Sequence, residues 1–329
     1  MGKTKITDWN GTRVVEMQAG GYTATVAFEL GSNVIRLHDD EHGIEFFRYK
    51  DQDSEVIRQS AEVWGLPTLY LPNRFRDGIV KTSDGEYQLP VNIPPPENTH
   101  LHGFLHKRVH NLVAHGAAAD EAFVKTSYVF DENDEMFGCF PIAFTAEYTF
   151  KLSKNGLDYK VALTNNSDKA MPVSMATHTA MNSPFVEGAE EKDQTITVNL
   201  GKKCLLDDRN LPSLEFAELS DYDKEYVNGT KTPTLSIINN DMYYIEKNAA
   251  GENAVVLKDK KSGKGIKYTV GDTYKFWIFW NDNGDKGYFC PEPMTGMIDC
   301  PNISHPDSGY VEIKKDEKFT VTQNFKTVK

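Results

Sequence analysis

The chain has 329 residues, 39% of them hydrophobic and 11% aromatic, which is enough for a packed core. Its formal net charge of −12 at pH 7 disfavours nucleic acid or an anionic membrane as the main partner and leaves a neutral small molecule as the simplest one. No apolar run approaches the ~20 residues of a membrane helix, and the first ten residues are too polar for a secretory leader.

Four cysteines (Cys139, Cys204, Cys290 and Cys300) show no C-x-x-C spacing and fit reduced thiols of a cytoplasmic protein. In that compartment the sequons at Asn165, Asn228 and Asn302 are chance matches. Gly2 is present, but Ile6 stands where a myristoylation motif has Ser or Thr.

Taken in chain order, the elements are mostly strands. Residues 23–30 and 34–38 read as the first two. Residues 54–64 form the main helix candidate, with Ser54 as N-cap and Gly65-Leu66-Pro67 as its stop. Residues 86–91 and 122–130 follow as strands. Residues 144–151 alternate: Phe144, Ala146, Tyr148 and Phe150 share one face, and Thr145, Glu147, Thr149 and Lys151 the other. Asn155-Gly156 suits positive φ in a tight turn, and Leu157, Tyr159, Val161 and Leu163 alternate on the way back. Residues 195–199 and 267–270 are further strands. The aromatic, β-branched run 274–280 predicts a central one. The polar stretch 207–232 reads as a long surface loop rather than a boundary. The sum is an all-β chain, a large antiparallel β-sandwich forming one domain over residues 1–329.

Chemistry-bearing groups concentrate at Pro72-Asn73-Arg74-Phe75-Arg76-Asp77-Gly78 and Thr99-His100-Leu101-His102-Gly103-Phe104. Arg and Asn supply many directed donors, and His a proton transferable near neutral pH, a combination suited to gripping a polyhydroxylated molecule. His100-x-His102 would put two rings on one strand face. Lys107 and Arg108 follow with no nearby acid, so no metal site is expected. His106, His110 and His115 read as partly exposed surface histidines. His178 ends a largely apolar run, where a catalytic group and a satisfied core histidine are both readings. Glu292 lies between Pro291 and Pro293, which fix φ on both sides of it. A carboxylate held that stiffly suits a general base, although a solvent-facing turn residue fits as well.

Several segments in order resemble the aldose 1-epimerases, or galactose mutarotases. They are GLPTLYLPNRFRDG at 65–78, GEYQLPVN at 85–92, HLHG at 100–103, His178 with Asn182, and EPMTG at 292–296. The resemblance spans roughly residues 20–325. It implies the same large sandwich, no cofactor, a sugar as partner, and an isomerase that interconverts α and β anomers of a free aldose. It makes Glu292 the base that takes the C1 hydroxyl proton and His178 the acid that protonates the ring oxygen. Arg74 and His102 would hold the ring-oxygen side, with Asn73 bonding a hydroxyl or Arg74. A sugar-gripping carboxylate is expected from mid-chain, with Asp241 the best match and Asp207 and Asp208 as competitors.

Three departures from the family pattern suggest a sugar other than galactose. Phe104 replaces a second glycine, HTAMN at 178–182 replaces His-Pro-Tyr-Phe-Asn, and His110 stands where an aromatic is common. Rival readings are a non-catalytic sugar-binding protein on the same fold, and a hexose-phosphate mutarotase using Arg76, Lys107 or Arg108. A two-carboxylate glycosidase fits less well, because the motifs pair one acid with a histidine.

Overall fold

The structure, a computed structural model, describes residues 1–49 and 53–329. Alternation builds its largest sheet. In the strand Phe144–Ser153 the four residues Phe144, Ala146, Tyr148 and Phe150 are buried, while Glu147 and Lys151 are exposed. The chain returns through Gly156–Asn165, in register from Ser153↔Gly156 to Phe144↔Asn165. The left-handed residue of that turn is Gly156 (φ 86°), where a Cβ would stand 1.9 Å from the Phe325 carbonyl oxygen.

Among the described residues this sheet has eight antiparallel strands. Their order is Asn111–Ala118, Glu121–Phe130, Phe144–Ser153, Gly156–Asn165, Lys318–Val328, Gly265–Val270, Asn253–Asp259 and Gln194–Val198. A second large sheet carries the site. It runs Pro212–Ala217, Leu200–Leu206, Asp241–Ile245, Phe276–Trp280, Tyr288–Met294, Ala176–Thr177 and Thr68–Leu69, and Met181–Asn182 also pairs with Tyr288–Met294. A smaller sheet is formed by Lys3–Trp9, Thr12–Ala19, Tyr22–Ala27, Asn33–Asp39 and Ile44–Glu45. This is the antiparallel β-sandwich that the alternation predicts.

The large sheets meet through aromatic rings. Tyr70 packs edge-on to Phe144 at 5.0 Å, and Tyr268 to Trp277 at 5.8 Å. One buried polar group ties them as well. The Gln323 side chain accepts from the Tyr268 hydroxyl (2.5 Å) and donates to Thr177 Oγ1 and Tyr274 Oη, both at 2.6 Å. A buried amide with its bonds made is rigid, and this one props the backbone immediately before His178.

Two expectations are corrected. The helix candidate at 54–64 is a helix only over Ser54–Gln59, followed by a 3-10 turn at Ala61–Val63. Its N-cap is Asp53, which accepts from the Val56 N–H at 3.0 Å, because the Ser54 hydroxyl is drawn instead to the Asn10 carbonyl (2.9 Å). The stretch 207–232 is not a loop. It holds the strand Pro212–Ala217 and the helix Asp221–Val227, which starts with a reciprocal capping box between Ser220 and Asp223.

Candidate active site

Tyr288–Met294 is buried along its whole length yet carries Pro291 and Pro293, residues that central strands ordinarily exclude. The pairing explains their tolerance. On one side Cys290 to Met294 pair with Phe276–Trp280. On the other side Ala176 pairs with Met294, and Met181 and Asn182 pair with Phe289 and Tyr288. The intervening residues turn away: His178 and Ala180 donate their N–H groups to the carbonyls of Pro67 (3.0 Å) and Gly65 (3.1 Å). The Thr295 N–H donates to the Met175 carbonyl (2.9 Å). By two-residue alternation the missing donors of Pro291 and Pro293 therefore face this gap. Glu292 lies between them, and its Oε1 meets His178 Nε2 at 3.2 Å.

The second half of the site is the antiparallel strand pair of Arg74–Arg76 and Thr99–Leu101, in register Leu101↔Arg74 and Thr99↔Arg76. Asn73 (φ 54°) and His102 (φ 69°) both take the left-handed conformation, which costs a non-glycine residue about 1 kcal/mol. They hold each other there, because the His102 N–H donates to the Asn73 carbonyl at 2.8 Å. The Asn73 Oδ1 accepts from Arg74 at 3.2 Å, and Arg74 Nε donates to Glu97 Oε2 at 2.8 Å. Gly103 follows at φ 63° and runs against the neighbouring backbone, so that a Cβ would lie 2.2 Å from the Tyr70 carbonyl oxygen. Gly103→Ala is expected to cost about 2 kcal/mol or more in denaturant unfolding. Wild-type stability in that variant would mean the contact relaxes freely.

These pieces enclose a cavity of about 580 Å³, lined by Asn73, Arg74, His102, His178, Trp280 and Glu292 together with Glu62, Val63, Asn92, Ile93, Glu97, Leu101, Lys107, Asn210, Asn239 and Asn240. At its floor the His178 ring lies edge-on to those of His102 (5.3 Å) and Trp280 (5.7 Å). Burial pushes the Glu292 carboxyl up to about 8, against the opposing charge of Arg74. Burial pushes His178 down to about 4, with the Glu62 charge opposing. Burial, and then the neighbouring His178, hold His102 well below the usual imidazole range. Each of these groups is driven toward its neutral form, so near pH 7 the Glu292–His178 pair carries one proton, on Glu292.

Among the described residues, His178, Cys290 and Glu292 also bring ligand-type atoms within 4.8 Å of one another. Burial and the nearby Glu292 raise the Cys290 thiol well above its ordinary value, which opposes the thiolate a metal would require.

A family model described as aldose 1-epimerase matches residues 13–326. The chain belongs to the aldose 1-epimerase family. A galactose mutarotase-like protein from Clostridium acetobutylicum superposes with a TM-score of 0.94 at 28% identity, over 100% of this chain and 98% of that one. A galactose 1-epimerase from Lactobacillus acidophilus NCFM shares the fold at 16% identity, with a TM-score of 0.74 over 100% and 98% of the two chains. Protein LacX (chromosomal) of Lactococcus lactis subsp. lactis is 23% identical over 201 residues, which are 60% of this chain and 63% of that relative's length.

Of the residues that the aldose 1-epimerase pattern singles out, Asn73, Arg74, His102, His178 and Glu292 come together on this one cavity. Asp241 lies elsewhere: its carboxylate accepts from Lys203 (2.8 Å) and from the Tyr222 hydroxyl (3.1 Å). Asp207 is drawn to its own turn, where it accepts from the N–H groups of Arg209 (2.9 Å) and Leu211 (3.0 Å).

The three departures from the family pattern are core features and do not line the cavity. Phe104 stacks on Phe130 at 4.8 Å. The Thr179 hydroxyl reaches the Tyr268 hydroxyl at 3.5 Å inside the sandwich. His110 is buried rather than exposed, bonded at Nδ1 to Ser32 (2.8 Å) and at Nε2 to the Leu105 carbonyl (3.2 Å). His106 is buried too, while His115 is exposed. Arg76 and Arg108 are engaged outside the cavity, with Asp207 and Asp299 (both 3.7 Å) and with Asp134 (2.6 Å).

The polar and aromatic lining residues not singled out from the sequence are Glu62, Glu97, Trp280 and the amides of Asn92, Asn210, Asn239 and Asn240. Asn92 falls within a family-like segment. It clamps Leu101 from both sides, accepting its N–H (2.7 Å) and donating to its carbonyl (3.0 Å). The others carry no local signal.

Proposed function

We propose that this cavity interconverts the α and β anomers of a free aldose by opening and reclosing the hemiacetal ring. The observation that carries the reading is the buried contact of 3.2 Å between Glu292 and His178. Ring opening moves two protons at oxygens that share one carbon. Glu292 takes the proton of the C1 hydroxyl, and His178 gives one to the ring oxygen as the C1–O5 bond breaks and C1=O1 forms. Acid and base must therefore stand side by side, as these two do.

Opening starts from the minor arrangement in which the one proton sits on His178 and Glu292 is ionised. It leaves the proton on Glu292 and a neutral His178, the arrangement that burial favours. Rotation about C1–C2 and the reverse transfers close the other anomer, with no net proton consumed. Arg74 and His102 would hold the O5 side, with the guanidinium oriented by Asn73 and Glu97.

Charge pairing supports a neutral substrate. Arg74 is bonded to Glu97, and Lys107 to Glu62 at 2.8 Å, so both cavity cations already have carboxylate partners. A phosphate would add charge beside those carboxylates. Exchange of α and β anomers, followed by NMR over a panel including glucose and galactose, is expected to run at least about ten-fold faster on a free hexose than on its 6-phosphate. Rates equal to buffer for every aldose would end the mutarotase reading, and preference for the phosphate would end the free-sugar one.

A further inference from the structure

We propose that Glu62 is a sugar-binding residue of this cavity, giving a carboxylate oxygen to one hydroxyl of the substrate. The inference rests on the mutarotase reading for the identity of the occupant. Glu62 belongs to the 3-10 turn Ala61–Val63, and it lines the cavity because the helix before it ends at Ser60 (φ −138°).

Its position is fixed from one side. Oε1 accepts from His106 Nε2 (3.0 Å) and from Lys107 Nζ (2.8 Å). Both donors lie on the turn Leu105–Lys107, three residues beyond His102, so the carboxylate is fastened to the loop that carries a floor residue of the cavity. The side chain is 19% exposed, and both of its donors among the described residues use the same oxygen, which leaves Oε2 for a donor in the cavity.

The two other carboxylates on the lining are committed. Glu97 accepts from Arg74 Nε at Oε2 (2.8 Å) and from Asn210 Nδ2 at Oε1 (2.7 Å). Glu292 meets His178. Asp241 is held by Lys203 and Tyr222 away from the lining. Apart from the Glu292 base, whose Oε1 meets His178, Glu62 is thus the lining carboxylate that keeps an oxygen to offer among the described residues, and its two donors hold it ionised despite burial. A hydroxyl donating to an ionised carboxylate makes one of the stronger neutral-to-charged hydrogen bonds.

The test is a binding titration of the tightest aldose and its monodeoxy analogues, followed by NMR, on the wild type and on Glu62→Gln. In the wild type, one deoxy analogue is expected to bind about ten-fold or more weaker than its parent. In Glu62→Gln the parent sugar weakens by a similar factor, and that one analogue no longer differs from it. Glu62→Asp, which keeps the charge but withdraws the oxygen, is expected to show the same pattern and serves if the first variant unfolds. Equal affinities in wild type and variants, or a loss spread evenly over all analogues, would overturn the assignment. Wild-type protein that binds with the deoxy pattern but does not speed anomer exchange would remove the mutarotase reading and leave Glu62 in place. Exchange with the same KM in wild type and Glu62→Gln would do the reverse.

Discussion

Glu292→Gln is expected to slow anomer exchange by about 10²–10⁴-fold while changing sugar affinity only a few-fold. Glutamine keeps the volume of the side chain and can still bond His178, so the cavity keeps its shape. What it lacks is an oxygen that can take the O1 proton and return it to the other face. The effect belongs in kcat, because proton transfer occurs only on the way to the opened ring. His178→Asn should give a loss of similar size. The two groups act across one 3.2 Å contact, so the double variant should be little worse than the poorer single one. Full multiplication of the two losses would show that they act at separate steps. Undiminished exchange in Glu292→Gln would exclude it as the base.

The strands were legible because period-2 alternation reports burial on one face directly, as at Phe144, Ala146, Tyr148 and Phe150. Glu292 was legible for a related reason: two flanking prolines announce a stiff backbone. What they could not announce is why a central strand tolerates them, since that depends on residues 178–180 leaving the strand to bond Gly65 and Pro67. The histidines show the opposite failure. His106 and His110 sit in a polar, basic stretch, and only their partners Glu62, Ser32 and Leu105 make burial affordable. Glu62 was hidden because the break at Ser60 turns it from one more helix residue into part of the lining. Asp241 misled because its sequence match carried no information about Lys203 and Tyr222, which arrive from a neighbouring strand and a helix. Phe104 lies only two residues after the motif histidine His102, yet the sharp turn at Gly103 sends its ring into the core.

Burial of Glu292 also predicts how stability depends on pH. Its carboxyl is raised by burial to about 8, against an ordinary value of 4.5. Between those values the folded protein keeps a proton that the unfolded chain releases, so folding stability falls as pH rises from about 4.5, and the loss is complete above about 8. His178, lowered by burial to about 4 from 6.5, acts in the opposite sense on the acid side: the unfolded chain binds the extra proton first, so stability rises between about 4 and 6.5. Glu292→Gln removes the alkaline loss. It should match the wild type near pH 4 and exceed it at pH 9 by an amount on the order of 3 kcal/mol, measured by denaturant unfolding at the two pH values. An identical difference at both pH values would mean that Glu292 ionises as freely in the fold as in water. The same two values frame the chemistry. The pair is competent while it holds one proton, so kcat/KM should be bell-shaped, falling below about 4 as a second proton binds and above about 8 as the last one leaves. The carboxyl that weakens the fold toward alkaline pH is thus the group whose raised affinity keeps a transferable proton in the cavity at neutral pH, and Glu292→Gln should exchange one property for the other.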